Sequence, residues 1–205
     1  MITLIAAIFL TYLLGAVPVS YIIAKRSKGI DIRERGSGNV GATNVMRTAG
    51  KVPGILALFL DILKGVIAVT LVARIFSSGI TIDYQLYQIL LGISVISGHV
   101  WTVFMGFKGG KGVATTAGVL VVLAPKILLI ALSVWIITIL ISKYVSLGSI
   151  LASMSIPITA ALMGRSLHFV IFSITLCIIC TYRHKANIVR LINGEESRIG
   201  RRVNT

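Results

Sequence analysis

Between Ile127 and Ile141 only Ser133 and Thr138 interrupt an apolar run, and no position in it is charged. Such a run has neither the alternation of a half-buried strand nor the one-sided stripe of a soluble helix. A helix that is greasy all round needs lipid or other helices around it. Similar runs recur along the chain, and the composition agrees. Of the 205 residues, 56% are hydrophobic and 13% charged, where a soluble domain carries about 25% charged residues. The expected fold is therefore an all-α polytopic membrane protein.

A span needs about 20 mainly apolar residues, each rising about 1.5 Å. Candidates fall at 2 to 24, 54 to 76, 85 to 105, 113 to 124, 126 to 142, 147 to 163 and 166 to 182. These are seven transmembrane helices. The fourth is short, and with the fifth it can also be read as one bent element broken at Pro125 and Lys126. Charge sets the orientation. The segment Lys25 to Lys51 holds seven Lys or Arg and the tail from Arg183 onward six, so both are expected in the cytoplasm. An odd number of spans then puts the N-terminus outside and the C-terminus in the cytoplasm. On seven spans the Lys108 and Lys111 loop and the Lys143 turn also face the cytoplasm, and the stretches near Asp83, Lys126 and Arg165 face out. No repeat or composition shift marks a second domain, so residues 1–205 read as one.

Twenty Lys and Arg oppose six Asp and Glu. In a membrane chain this excess speaks of leaflet orientation before nucleic acid, and no nucleic-acid partner is expected. It suits either contact with anionic membrane lipid or phosphate-bearing substrates. Cys177 and Cys180 lie inside an apolar run with no second pair or ligand cluster, and read as packing residues. No Lys or Arg precedes the first apolar run and no small-x-small cleavage pattern follows it, so that run is expected to stay as a span.

The first polar motif runs from Arg35 to Arg47, Arg-Gly-Ser-Gly-Asn-Val-Gly-Ala-Thr-Asn-Val-Met-Arg. Gly36, Gly38 and Gly41 let backbone approach a ligand, and Ser37 is placed to cap a following helix whose free N–H groups attract anions. On such a helix Asn39, Thr43 and Arg47, spaced by four, share a face. One cation among neutral donors suits a phosphate or an acyl oxyanion. The blander reading is a capped surface helix.

The second motif contains Lys108-Gly109-Gly110-Lys111-Gly112 immediately before a helix expected to start near Val113. Backbone N–H groups, the positive end of that helix and two ammonium groups can converge there on a phosphate. The spacing is not that of a Walker A loop: Lys111 stands where its second Gly belongs, and no Lys-Ser or Lys-Thr follows. A pair of snorkelling lysines is the competing reading. His99 invites comparison with acyltransferases that use a His and an Asp five positions on, but position 104 is Phe. His168 and His184 meet Ser173 and Val189 at that spacing, so the dyad is absent.

The third motif is the tail from His184 to Glu196, where His184, Asn187 and Arg190 recur by threes along one helix face. An amphipathic interfacial tail gives the same pattern. Asp61 and Lys64, three apart inside the second run, are expected to pair, because an unpaired charge in lipid is costly. Ser146 and Ser149 at the start of the sixth span read first as helix caps.

Taken in order, Gly-Ser-Gly-Asn-x-Gly-Ala-Thr-Asn-x-x-Arg, Asp61-Ile-Leu-Lys-Gly65, Gly-His-x5-Met-Gly-Phe-Lys-Gly-Gly-Lys-Gly-Val-Ala-Thr and His-x-x-Asn-x-x-Arg-Leu-x-x-Gly-x-Glu resemble the bacterial acyl-phosphate glycerol 3-phosphate acyltransferase family, PlsY. The resemblance spans nearly the whole chain. It implies a seven-helix protein of the cell inner membrane that moves a fatty acyl group from acyl phosphate to glycerol 3-phosphate in phospholipid biosynthesis, without a cofactor or metal. Lysophosphatidic acid and inorganic phosphate are then the products, and a soluble acyl-phosphate synthase supplies the donor.

Carried onto this chain, the family pattern points to Ser37, Asn39, Arg47, Lys108, Lys111 and His184 as catalytic. Gly38, Gly41, Thr43, Asn44, Gly109, Gly110, Gly112, Ser146, Ser149 and Asn187 are the matching substrate-binding candidates. Acyl phosphate is a mixed anhydride with its own leaving group, so no acyl-enzyme is needed. The proton acceptor is His184 or the substrate's phosphate. The rival class is a transporter or channel for an anionic, phosphate-bearing solute, since glycine-broken helices and intramembrane charges also build transport sites. Against it, the polar motifs gather on one leaflet and Asp61 is the only acid within a span.

Overall fold

The computed structural model describes residues 1–199, and among these every regular element is helical. Contacts divide the chain into two compact units, Met1–Leu123 and Ala124–Thr205.

The first unit opens with α1 (Ile2–Ala16) and α2 (Val19–Lys28), which form one apolar stretch, Ile2–Lys28, broken at Val17 and Pro18. Proline has no N–H and crowds the preceding turn. Val19 N–H turns back to Val17 O at 2.9 Å, and other elements cover the carbonyls at the break. Lys64 Nζ donates to Gly15 O at 3.0 Å and Thr102 Oγ1 donates to Ala16 O at 2.5 Å. A polar loop leads to the short α3 (Ala42–Thr48), and then to α4 (Lys51–Ile67).

From α4 a π-helical turn, Ala68–Val72, leads into α5 (Ala73–Ile75), so the stretch Lys51–Ile75 is 25 residues long. Within the π turn the widened ladder frees carbonyls, and Gln88 Nε2 donates to Val69 O at 2.8 Å. Next come α6 (Tyr84–Val100), a 3-10 turn Val103–Met105, and α7 (Val113–Leu123). Asp83 caps α6, its Oδ1 accepting from Leu86 N–H at 2.9 Å.

Small residues set the packing of this unit. A Cβ at Gly15 would enter the Val95 backbone, one at Gly98 the Tyr12 backbone, and one at Gly65 the Thr115 backbone. Helices in lipid gain no hydrophobic drive from meeting one another, so close backbone approach is what holds them.

In the second unit α8 (Pro125–Ser142), α9 (Val145–Leu162) and α10 (Leu167–Arg183) follow in turn. Lys143, in the left-handed region at φ 65°, ends α8. Trp135 Nε1 donates to Ser149 Oγ at 3.3 Å, tying α8 to α9. The short amphipathic α11 (Lys185–Ile192) continues α10 after a bend of 59°.

Among the described residues five helical stretches are long and apolar enough to span a membrane, and a sixth is added if the bent pair α10 and α11 counts as one. The first three match the expected spans, shifted at their ends by the break at Pro18 and by α4 starting at Lys51. α7, at 11 residues, is roughly 16 Å long, about half of a hydrocarbon core. The chain breaks at Ala124, and Pro125 takes the first turn of α8, where its missing N–H costs nothing. Of the tail cations, Arg201 and Arg202 lie outside the described residues.

Candidate functional site

Two glycine-bearing loops of the first unit meet. In the earlier one Gly36 and Gly38 sit at φ 60° and 68°, which keeps the chain in turns and delays the helix until Ala42. Ser37 therefore does not cap it: Gly41 occupies that position, and no side chain caps the helix. Asn39 precedes the helix, so only Thr43 and Arg47 share its exposed face.

Asn44 organises the loop from below. It is 2% exposed, and its amide donates to Ile32 O, Arg35 O and Asn39 O at 3.2, 3.0 and 3.1 Å, while its Oδ1 accepts from Ser37 N–H at 3.0 Å. A side chain at Gly36 would collide with that Oδ1. The Ser37 side chain is left exposed, and Asn39 is half-buried.

The later loop starts after Phe107, which holds φ 62°, an uncommon conformation for a bulky residue. Gly109 N–H donates to Val100 O and Gly110 N–H to His99 O, both at 3.1 Å, so the turn is pinned along the end of α6. The predicted helix start is observed, at Val113. Lys108 is exposed and Lys111 half-buried on either side of the buried Gly109 and Gly110. A Cβ at Gly110 would collide with His99 Nε2 and come within 2.7 Å of Val40 O. The lysine loop thus rests directly on the loop that leads to Arg47.

Beneath this contact lies a buried charged cluster. Lys64 Nζ and Asp61 Oδ1 are 2.7 Å apart, the pair expected from sequence. His99 Nδ1 lies 2.7 Å from Lys64 Nζ and 3.4 Å from Asp61 Oδ1, and Ser20 Oγ donates to Asp61 Oδ2 at 3.5 Å. An ammonium can only donate, so Nδ1 accepts and the proton of the neutral ring sits on Nε2, which faces Gly110. Pro18, Ser20, Val40, Asp61, His99 and Gly110 line a cavity of about 10 Å³, close to the room one water needs. Sequence reasoning tested His99 only as half of a dyad, and nothing in the spacing places α6 beside Asp61.

In the second unit Ser146 and Ser149 do not cap α9, whose N-cap is Tyr144. Ser149 lies inside the helix and bonds back to Val145 O at 3.0 Å. Ser146 donates to Glu196 Oε1 at 2.8 Å because the chain after α11 folds back there. Asn187 Nδ2 donates to the same oxygen at 2.7 Å, and Arg190 Nε donates to Oε2 at 2.8 Å. His184, 2% exposed, precedes α11. Its Nδ1 is 2.8 Å from Cys180 O, a pure acceptor, so Nδ1 carries the proton and Nε2 is the acceptor of the neutral ring. Cys180 is buried as expected.

Burial acts to raise the Glu196 carboxyl, but hydrogen bonds from Asn187, Arg190 and Ser146, with the Arg190 charge, outweigh it and hold the group below its ordinary range. A lowered folded value means that this stabilisation is complete above the unfolded value of about 4.3 and is lost as pH falls through the folded one. Melting temperature is expected to drop on acidification across that window in the wild type and to drop less in Glu196→Gln. Parallel melting curves over that range would contradict the assignment.

Residues 5–194 match the family described as glycerol-3-phosphate acyltransferase. The chain belongs to that family. The glycerol-3-phosphate acyltransferase of Desulforamulus reducens is 44% identical over 201 residues, covering 98% of each chain. That of Desulforudis audaxviator is 45% identical over 194 residues, covering 95% of this chain and 94% of its own. Among solved structures, the glycerol 3-phosphate form of PlsY, an integral membrane glycerol 3-phosphate acyltransferase, superposes with a TM-score of 0.87 at 40% identity and covers 96% of both chains. The lysophosphatidic acid form gives 0.85 at the same identity, covering 96% of this chain and 95% of its own. This member of the acyltransferase family is thus an integral membrane acyltransferase of phospholipid synthesis. Its two glycine loops and the tail motif as far as Gly194 fall inside the matched region.

Proposed function

We propose that the chain transfers a fatty acyl group from acyl phosphate to a hydroxyl of glycerol 3-phosphate, giving lysophosphatidic acid and inorganic phosphate. The observation that carries this reading is the contact of Gly110 with Val40, which brings the Lys108 and Lys111 loop against the loop leading to Arg47. Both substrates are phosphates, and of the two loops in contact one carries Lys108 and Lys111 and the other leads to Arg47. Charge-assisted hydrogen bonds from Arg47, Lys108 and Lys111 hold the two phosphates, helped by the N–H groups that open α7. Gly38, Gly41, Gly109, Gly110 and Gly112 let the backbone approach them, with Thr43 beside Arg47.

The hydroxyl oxygen bonds to the acyl carbon, the carbon–oxygen bond to the donor phosphate breaks, and phosphate leaves with the electron pair. Ser37 and Asn39 steady the oxyanion formed in between. The proton acceptor is the phosphate of glycerol 3-phosphate or His184. Asn187 and Ser146 meet at Glu196 and serve by holding α11, and Asn44 by holding its loop. We further propose that residues 1–205 act as one domain of a cell inner membrane, with seven crossings, the N-terminus outside and the C-terminus in the cytoplasm. The Lys and Arg excess at 25 to 51 and after Arg183 supports that orientation. A soluble acyl-phosphate synthase is the proposed source of the donor.

The test is product formation by purified protein with radiolabelled glycerol 3-phosphate, no added metal and a chelator control. Labelled lipid is expected from a long-chain acyl phosphate and essentially none from the matching acyl-CoA, because compact cations and N–H groups suit one phosphate leaving group and offer no Rossmann or Walker pattern for a nucleotide. Equal rates with both donors would overturn the donor assignment. No lipid from any donor would overturn the reaction.

A further inference from the structure

Asp61 and Lys64 are buried and ion-paired, His99 is buried against them, and no step above uses any of the three. A span can satisfy a buried charge more cheaply than with a carboxylate, an ammonium and an imidazole together. Their placement says what they contact. Lys64 closes the Gly15 carbonyl at the Pro18 break. His99 touches the ion pair through Nδ1, and its Nε2 lies against Gly110, where the lysine loop also meets Val40. His99 is therefore the solid link between a fixed ion pair and the backbone carrying Lys108 and Lys111.

We infer that Asp61, Lys64 and His99 form a positioning triad for the acyl-transfer reaction, in which the ion pair fixes the imidazole and the imidazole fixes the height of the Gly109–Gly110 turn. His99 touches neither substrate and acts through the turn. The inference rests on the reading of that turn as a phosphate-binding element. A displacement on the order of 1 Å at such an element costs about a hundredfold in rate, and the leaving phosphate gains charge as its bond to the acyl carbon breaks. The loss therefore falls on kcat.

The imidazole has two ends, and two amide substitutions separate them. Gln carries its polar atoms to the position of Nε2, Asn to that of Nδ1. Turnover of purified full-length protein at saturating substrate, with whichever acyl donor the wild type uses, is compared for His99→Ala, His99→Gln and His99→Asn, beside Lys111→Ala. His99→Ala and His99→Asn are expected to lose about tenfold or more in kcat, with melting temperatures alike among the three variants, while His99→Gln, which keeps the contact with the turn but loses the one with the ion pair, keeps more turnover than either and less than wild type. Gly110→Ala is expected to cost less in the His99→Ala background than alone, since the two contacts are one.

Wild-type kcat in His99→Ala, or equal loss in the Gln and Ala variants, overturns the triad. If Lys111→Ala is impaired while the His99 variants are not, the triad fails and the phosphate turn stands. If Lys111→Ala also turns over normally, the turn itself is misread. Donor choice is scored on the wild type alone, so an error there is visible separately.

Discussion

Arg47→Ala, Lys108→Ala and Lys111→Ala are each expected to lower turnover tenfold to more than a hundredfold in protein that remains inserted and folded. Removing a charge-assisted hydrogen bond from a partly dry site costs about 1.5 to 3 kcal/mol. The three side chains are exposed or half-buried, Arg47 on the short α3 and the two lysines on the glycine loop, so truncating them removes charge while buried groups such as Asn44 stay in place. Asn44→Ala is the contrasting case, since it strips partners from four backbone groups and should lower melting temperature as well as rate. A snorkelling lysine tolerates truncation. Near wild-type turnover for both lysine variants, measured with product extraction at saturating substrate, would return the second loop to that reading.

Lys64→Met is expected to destabilise the protein by about 3 to 5 kcal/mol, because it leaves the Asp61 carboxylate buried without its cation. Asp61 and Lys64 are 2% and 4% exposed, so bulk water cannot take over the lost contact. Pairing the change with Asp61→Asn removes the stranded charge and should recover most of the melting temperature. Turnover is not expected to recover with it, since the imidazole of His99 has then lost both groups that fix it. A double variant as unstable as the single one would show that packing around the pair, and not its charge, holds α4.

Most of the architecture was legible because lipid imposes a strong filter: runs such as 85 to 105 can only be buried helices. Asp61 and Lys64 were legible for the same reason, as two opposite charges one turn apart in an apolar run have to meet. What misled was local geometry. Steps of four from Asn39 to Arg47 suggested one helix face, yet two left-handed glycines keep residues 36 to 41 out of the helix. Ser146 had the position of a cap and instead serves a carboxylate 50 residues along the chain. His99 could not be placed, because its meaning depends on which helix lies beside α6, and periodicity within one helix carries no information about its neighbour.

The carboxylate of Glu196 accepts from Ser146, Asn187 and Arg190 at once. That makes four separate positions a single unit of inheritance. A relative that loses the acid strands three donors, and one that changes Arg190 strands half of the acid, so substitutions at 146, 187, 190 and 196 are constrained to arise together. Hybrids between relatives joined anywhere from residue 147 to residue 186 combine one parent's α9 with the other's tail. They should fold well when residue 146 of the one parent and residues 187, 190 and 196 of the other complete the set, and poorly when they do not, however similar the spliced helices are.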